Sequence, residues 1–208
     1  MGPPGSGKGT QTVFISRMVG IHSVSSGDLF RDNLKRNTDL GKSAKGYMDK
    51  GAYVPDDITI KMIMEWINAP EHAGGFLLDG FPRTMIQAKV LEEELRSRNI
   101  KIDRVLFFDV PREELILRLG GRIICRSCQT TFHYKFSPPK EPNVCDLCQG
   151  ELYQRDDDKE SVVKNRLKVY LKETAPVLSY YDDLGSLHRI DGAKSIEEVQ
   201  SALGEALA

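Results

Sequence analysis

With 208 residues, 40% of them hydrophobic, the chain holds enough apolar material for one sizeable core plus a small insert. Lys and Arg (29) nearly balance Asp and Glu (30), so no global field draws it to nucleic acid or an acidic membrane, and anion sites must come from local clusters. No run approaches the roughly 18 apolar residues that span a bilayer, and no charged start with an apolar stretch marks a signal peptide, so the expected location is cytoplasmic.

The chain opens on Gly2 to Thr10, GPPGSGKGT. Glycines at 2, 5, 7 and 9 let the backbone turn its N–H groups inward, and Lys8 and Thr10 place a cation and a hydroxyl beside the cradled anion. This pattern describes a phosphate-binding P-loop. Gly9 stands directly after the lysine, where Ser or Thr is usual, and the hydroxyl comes one residue later. An apolar stretch with Val13, Phe14, Ile15, Met18 and Val19 follows at once, as expected if a helix opens on the loop and aims its dipole at phosphate. A P-loop normally leaves a buried strand, yet only Met1 precedes Gly2. The expectation is therefore a sheet whose strand before the loop is missing: either the true start lies upstream, or the protein does without that strand. Its loss would expose neighbouring strand edges and lower stability.

Further along, short apolar runs predict strands at His22 to Ser25, Phe76 to Asp79, Val105 to Val110 and Leu187 to Ile190. Helical patterns fall near 27–36, 39–50, 56–68, 84–98, 111–119 and 159–183, with a last one from Ser195. Pro55 and Pro111 suit first helical turns, Ser195 with Glu198 forms a capping box, and Pro176 should kink or divide the long helix. The alternation predicts an α/β fold with a parallel sheet covered on both faces. Such sheets bind ligands at the carboxyl ends of their strands, so the P-loop, Ser25-Ser26 and Asp79-Gly80 should share one rim.

From about Gly121 to Asp158 cysteines, prolines and short polar segments replace this pattern. Cys125-x2-Cys128, sixteen residues, then Cys145-x2-Cys148 is a four-thiolate arrangement that can close tetrahedrally on Zn2+. Four thiolates leave no open coordination position, so the metal reads as structural. Two disulfides are the rival. The insert sets Lys135 and Lys140 against Glu141, Asp146 and Glu151, which is no dense basic face for nucleic acid. Taken alone, the triple acid Asp156 to Asp158 reads as a solvated face, or beside Arg155 as a hinge latch, and Tyr180 and Tyr181 read as core.

In order and spacing, GPPGSGKGT, SSGDLFR (25–31), GFPRT (80–84), the arginine pair of LRLGGR (117–122), the two CxxC pairs and YQRDDD (153–158) followed by NRL (165–167) form one set. The set resembles adenylate kinases, the nucleoside monophosphate kinases that carry phosphate from ATP to AMP, in their long form with a zinc-bearing lid. The resemblance covers essentially the whole chain. It implies a single P-loop kinase-type domain over 1–208, with an NMP-binding segment at 25–54 and a small zinc-ribbon-like lid insert at 121–158. The implied reaction is reversible transfer of the terminal phosphate of ATP to AMP, giving two ADP, in a monomer with neither nucleic-acid nor membrane partners.

The resemblance also implies residue roles. Lys8, Arg83, Arg122, Arg155 and Arg166 are the implied catalytic set, since two polyanions must be brought together while their phosphates repel. On the ATP side stand Gly5, Ser6, Gly7, Lys8, Gly9, Thr10, Arg118, Arg122, Thr131, Phe132 and Lys194, with Arg118 stacking on the adenine. On the AMP side stand Ser26, Arg31, Ala52, Tyr53, Val54, Gly80, Phe81, Pro82, Arg83, Gln87, Arg155 and Arg166, with Gln87 offering its amide to an adenine edge. Ser26 occupies a position where many members carry Thr. Mg2+ would bridge the ATP phosphates with its water shell held by Asp79, and structural Zn2+ would sit on Cys125, Cys128, Cys145 and Cys148. Two rivals stay open: a kinase acting on UMP, CMP or GMP, and an inactive nucleotide-binding or zinc-ribbon protein if the first strand is truly absent.

Overall fold

The computed structural model describes residues 1–207. Four parallel strands carry the main body: β1 (His22–Ser25), β2 (Phe76–Asp79), β3 (Val105–Asp109) and β7 (Leu187–Asp191). Helices α1 (Lys8–Val19), α2 (Ser26–Lys35), α3 (Asp39–Met48), α4 (Asp56–Ile67), α5 (Met85–Ser97) and α6 (Arg112–Gly120) lie along the first half. Helices α7 (Glu160–Val169), α8 (Ala175–Asp183) and α9 (Ile196–Leu207) complete the second. No helix among the described residues is long and apolar enough to cross a membrane.

Local chemistry sets most boundaries. Ser25, Thr38 and Thr84 cap α2, α3 and α5 by accepting from the backbone N–H of Asp28, Gly41 and Gln87. Ser195 and Glu198 exchange side-chain and backbone bonds at 3.0 and 3.2 Å, completing the expected capping box before α9. Pro55 and Pro111 stand one residue earlier than expected, as the caps of α4 and α6. The long helix is divided as the position of Pro176 foretold: a π-helical turn, Tyr170–Thr174, separates α7 from α8. Proline offers no N–H to the preceding turn and its ring crowds the carbonyl four residues back, which the wider turn accommodates.

Strand β3 shows why helices cover both faces. Leu106 and Phe108 pack with Ile15 of α1 and Leu203 of α9, whereas Val105 packs with Ala88 of α5 and Val177 and Tyr181 of α8. A further core, with Phe30, Ile63, Ile67 and Leu91, joins α2, α4 and α5 to Val24 of β1.

A parallel sheet lacking the strand before the P-loop was the expectation, and the pairing agrees with it. β1 pairs with β2 and β3 with β7, both parallel, but no ladder joins the two pairs among the described residues. Met1 alone lies against β3, its N–H donating to Leu106 O while its carbonyl accepts from the Phe108 N–H at 3.0 Å. That is the bonding of a parallel neighbour, so the P-loop leaves directly from a sheet position. β2, bonded on one side only, is half-buried along all four residues, whereas β3 buries four in succession.

The insert forms a three-stranded antiparallel sheet of its own, with β4 (Arg122–Cys125) between β5 (Thr131–His133) and β6 (Leu152–Tyr153). Ile123, Phe132 and Leu152 fill its small core together with Cys125 and Cys145.

Candidate active site

The P-loop turns on Gly7, whose φ of 87° caps α1 in a conformation that a side chain disfavours. α1 therefore starts at Lys8 with no side-chain cap, leaving its first N–H groups available to a ligand. Lys8 folds back over the loop, its Nζ donating to Pro3 O at 2.9 Å and reaching Ser6 Oγ at 3.5 Å. Burial lowers its pKa to about 8, the nearby Asp79 carboxylate works against this, and Arg83, Arg166 and Arg122 press further downward. One loop, one carboxylate and three guanidinium groups thus converge within electrostatic reach.

Beside the loop lies a cleft enclosing about 140 Å3, with Lys8, Ser26, Arg31, Arg83, Arg155 and Arg166 in its wall. The turn after β2 shapes one side. Gly80 has φ 70°, and a Cβ there would stand 2.7 Å from Arg83 Nη2 and 3.0 Å from Ser26 Oγ, so only glycine permits the approach. Arg83 Nε donates to Gly80 O at 2.7 Å, Ser26 Oγ donates to the same carbonyl at 2.6 Å, and Arg83 Nη2 reaches Ser26 Oγ at 3.4 Å. Gln87 is buried; its Oε1 accepts from the Arg83 N–H at 2.7 Å and its Nε2 donates to Asp56 Oδ1, also at 2.7 Å. An amide nitrogen carries two protons, so one remains for a ligand edge. Arg31 pairs with Asp28, and burial together with the charge of Arg155 lowers its pKa.

The far side of the cleft is an arginine–aspartate cluster. Asp158 accepts from Arg122 Nε at 2.7 Å and Nη2 at 2.5 Å, and from Arg166 Nη1 at 3.0 Å. Asp157 accepts from both Nε and Nη2 of Arg155, and Arg166 approaches it at 3.2 Å. Burial alone would raise the Asp157 pKa, but Arg166 and Arg155 overcome it and hold the carboxyl at about 2. Burial lowers Arg166 to about 10, with Asp157 pulling upward and Arg122 and Arg155 repelling its charge.

In the insert, the four cysteine sulfurs lie within 4.8 Å of one another. Cys125 Sγ and Cys148 Sγ are 3.4 Å apart, and Cys128 Sγ and Cys145 Sγ 3.6 Å. Disulfide bonding, the rival reading, requires about 2.05 Å. Four sulfurs at 2.3 Å from one tetrahedral ion would be separated by roughly 3.8 Å, so the arrangement is able to hold a metal.

A family model described as adenylate kinase matches residues 1–186. An adenylate kinase of Carboxydothermus hydrogenoformans is 56% identical over 207 residues, spanning 100% of this chain and 97% of that protein. One from Methanocella arvoryzae is 52% identical, covering 99% and 95% of the two chains, and one from Streptomyces avermitilis is 48% identical, covering 100% and 94%. The chain belongs to the adenylate kinase family. It is accordingly a phosphotransferase of the nucleoside monophosphate kinase type, on a P-loop α/β fold.

Within this adenylate kinase family member, the structure gathers the expected AMP-side residues, from Ser26 and Arg31 through Ala52, Tyr53 and Val54 to Gly80, Phe81, Pro82, Arg83 and Gln87, around one cleft with Arg155 and Arg166. The expected ATP-side residues are more dispersed. Arg122 reaches the cluster through Asp158, but Arg118 pairs with Glu114 on its own helix. Thr131 is exposed on β5, Phe132 is buried in the core of the insert, and Lys194 is exposed ahead of α9.

Asp158 corrects the reading of the acidic run as a solvated face: it is 1% exposed and binds two arginines. Residues 156–158 form a 3-10 turn, whose side chains point about 120° apart. Three successive acids there cannot share one solvated side, a geometry for which the sequence carries no signal. Tyr170 and Thr174, both buried in the cleft wall on the π-helical turn, likewise had none.

Proposed function

We propose that the chain catalyses reversible transfer of the terminal phosphate of ATP to AMP, giving two ADP. The observation that carries this reading is the convergence of Lys8, Arg83, Arg155 and Arg166 in the wall of one cleft, with Arg122 joined to Arg166 through Asp158. So much positive charge in a half-closed cleft suits two polyanions that must meet.

Lys8 and the loop N–H groups of Gly5 to Thr10 hold the ATP phosphates, with Arg122 beside them. Arg31 and Arg83 hold the AMP phosphate, and Arg155 and Arg166 span the gap. An AMP phosphate oxygen attacks the terminal phosphorus in line, the bond to the bridging oxygen breaks, and ADP leaves from the P-loop side. No side chain acts as nucleophile, so the residues work by positioning and charge neutralisation. Arg118 and the Lys194 main chain serve the ATP adenine, and Thr131 and Phe132 stand near ATP once the insert folds down. The segment 25–54 closes over AMP and the insert 121–158 over ATP, excluding water that would otherwise hydrolyse the donor.

Asp79 fits a Mg2+ water shell: the carboxylate ends β2 beside Gly9, where a Cβ would lie 3.9 Å from Asp79 Oδ2. Bound with ATP, a Mg2+ ion there would supply charge neutralisation at the phosphates. The four cysteines fit structural Zn2+, which ties the two knuckles of the insert together without contacting phosphate. The chain acts as a cytoplasmic monomer.

Coupled ADP formation tests the reading. With ATP as donor and AMP, UMP, CMP and GMP compared at equal concentration, AMP should be phosphorylated at least tenfold faster. A preference for another monophosphate would move the chain to a sister specificity, and no ADP from ATP and AMP would reduce it to a nucleotide-binding protein.

A further inference from the structure

Thr174 closes the π-helical turn and is 4% exposed. Its Oγ1 lies 2.8 Å from the carbonyl oxygen of Arg83 and 2.8 Å from Tyr53 Oη. A carbonyl cannot donate, so the single Thr174 proton goes to Arg83. Thr174 then accepts from Tyr53, and the relay has one direction: Tyr53 hydroxyl to Thr174 hydroxyl to Arg83 carbonyl. The Arg83 guanidinium also sits over the Tyr53 ring, its Cζ 5.0 Å from the ring centroid. Tyr53 therefore holds Arg83 at both ends, through Thr174 at the main chain and through its ring at the guanidinium.

The π-helical turn gives Thr174 this place. One extra residue in a helical turn rotates every later side chain by about 100° relative to an uninterrupted α-helix. Meanwhile Gln87 fixes the Arg83 N–H and Gly80 the Nε, leaving Nη1 without a protein acceptor among the described residues. The N–H and Nε of the arginine are thus held, and Nη1 with the second Nη2 proton is left to meet an anion.

We propose that Thr174 is a positioning residue for Arg83, fastening it to Tyr53 of the segment 25–54 so that Arg83 meets the monophosphate already oriented. The inference rests on the reading of Arg83 as a residue for the AMP phosphate. Thr174 acts through Arg83, whereas Tyr53 also lines the cleft and supplies the first donor of the relay.

Steady-state kinetics of Thr174→Val, Thr174→Ser, Tyr53→Phe and Arg83→Lys, with melting curves for each, test it. Thr174→Val should raise KM for AMP roughly tenfold, the equivalent of one buried hydrogen bond, and leave KM for ATP within twofold. Thr174→Ser should restore the parent value. Tyr53→Phe keeps the ring but loses the first donor, so KM for AMP should rise a few-fold, and the double variant should be no worse than Thr174→Val alone. Equal rises in both KM values, additive effects in the double variant, or no rise in KM for AMP would overturn the proposal. If Thr174→Val fails to fold, Tyr53→Phe at the half-buried end of the relay reads the same coupling, and an unmoved KM for AMP there overturns it. Arg83→Lys separates the two claims: an unchanged KM for AMP in that variant sinks the role of Arg83 itself, whereas a raised one beside an inert Thr174→Val sinks only the relay.

Discussion

Replacing Asp158 by Asn should unfold the cleft from its far side. The carboxylate is wholly enclosed and takes three bonds from Arg122 and Arg166, whose own side chains are each 20% exposed. An amide keeps the shape but turns one acceptor into a donor facing a guanidinium, and it leaves two cations with Asp157 as their remaining counter-charge. Removing one partner of a buried pair costs roughly 3–5 kcal/mol. The partial exposure of both arginines places this case at the low end, about 3 kcal/mol. For a chain of this length each kcal/mol shifts Tm by about 2–4 °C, so the loss should be roughly 6–12 °C. Saturating ADP should narrow the gap, because its phosphates supply the anion that the variant lacks. Thermal melts of parent and variant with and without ADP give both quantities. A fall of less than about 2 °C without nucleotide, against the pair cost above, would refute the claim that Asp158 holds the arginine charges in place.

Changing Cys125 and Cys128 to Ser should lower the melting temperature by several degrees while the folded fraction keeps its turnover within about twofold, as a metal with no open position requires; lost turnover with unchanged melting would contradict this. Because Lys8 is charged below a pKa of about 8 and neutral above it, kcat/KM for ATP should fall as pH rises through that value. The Lys8→Arg variant should lack that alkaline limb, and its persistence would assign the titration elsewhere. Gly80→Ala forces a side chain into φ 70° and against Arg83 Nη2, so KM for AMP should rise with KM for ATP unmoved.

Residues whose chemistry is local were legible in the sequence. The P-loop glycines, the capping box at Ser195 and Glu198, and the four cysteines each announce themselves within a few positions, and the structure places them accordingly. The strand runs were legible too, since short apolar runs and bounding turns are also short-range. The gap before the P-loop was legible as well, but strand order was not. Which strand lies beside which is decided by chain segments far apart, and the division into β1–β2 and β3–β7 could not be read from any one of them. The three short strands of the insert, one of them two residues long, carry too little periodicity to announce themselves. Asp158 and Thr174 were hidden for a related reason: both are ordinary residue types whose partners, Arg122 and Arg83, lie 36 and 91 positions away.

The central claim is that Lys8 and the loop around it grip the donor while guanidinium groups neutralise the acceptor. Lys8→Met tests it most directly, by ADP formation from ATP and AMP in protein whose circular dichroism matches the parent. Loss of one such preorganised donor should slow turnover roughly 100-fold or more. Undiminished phosphate exchange in that variant would contradict the account.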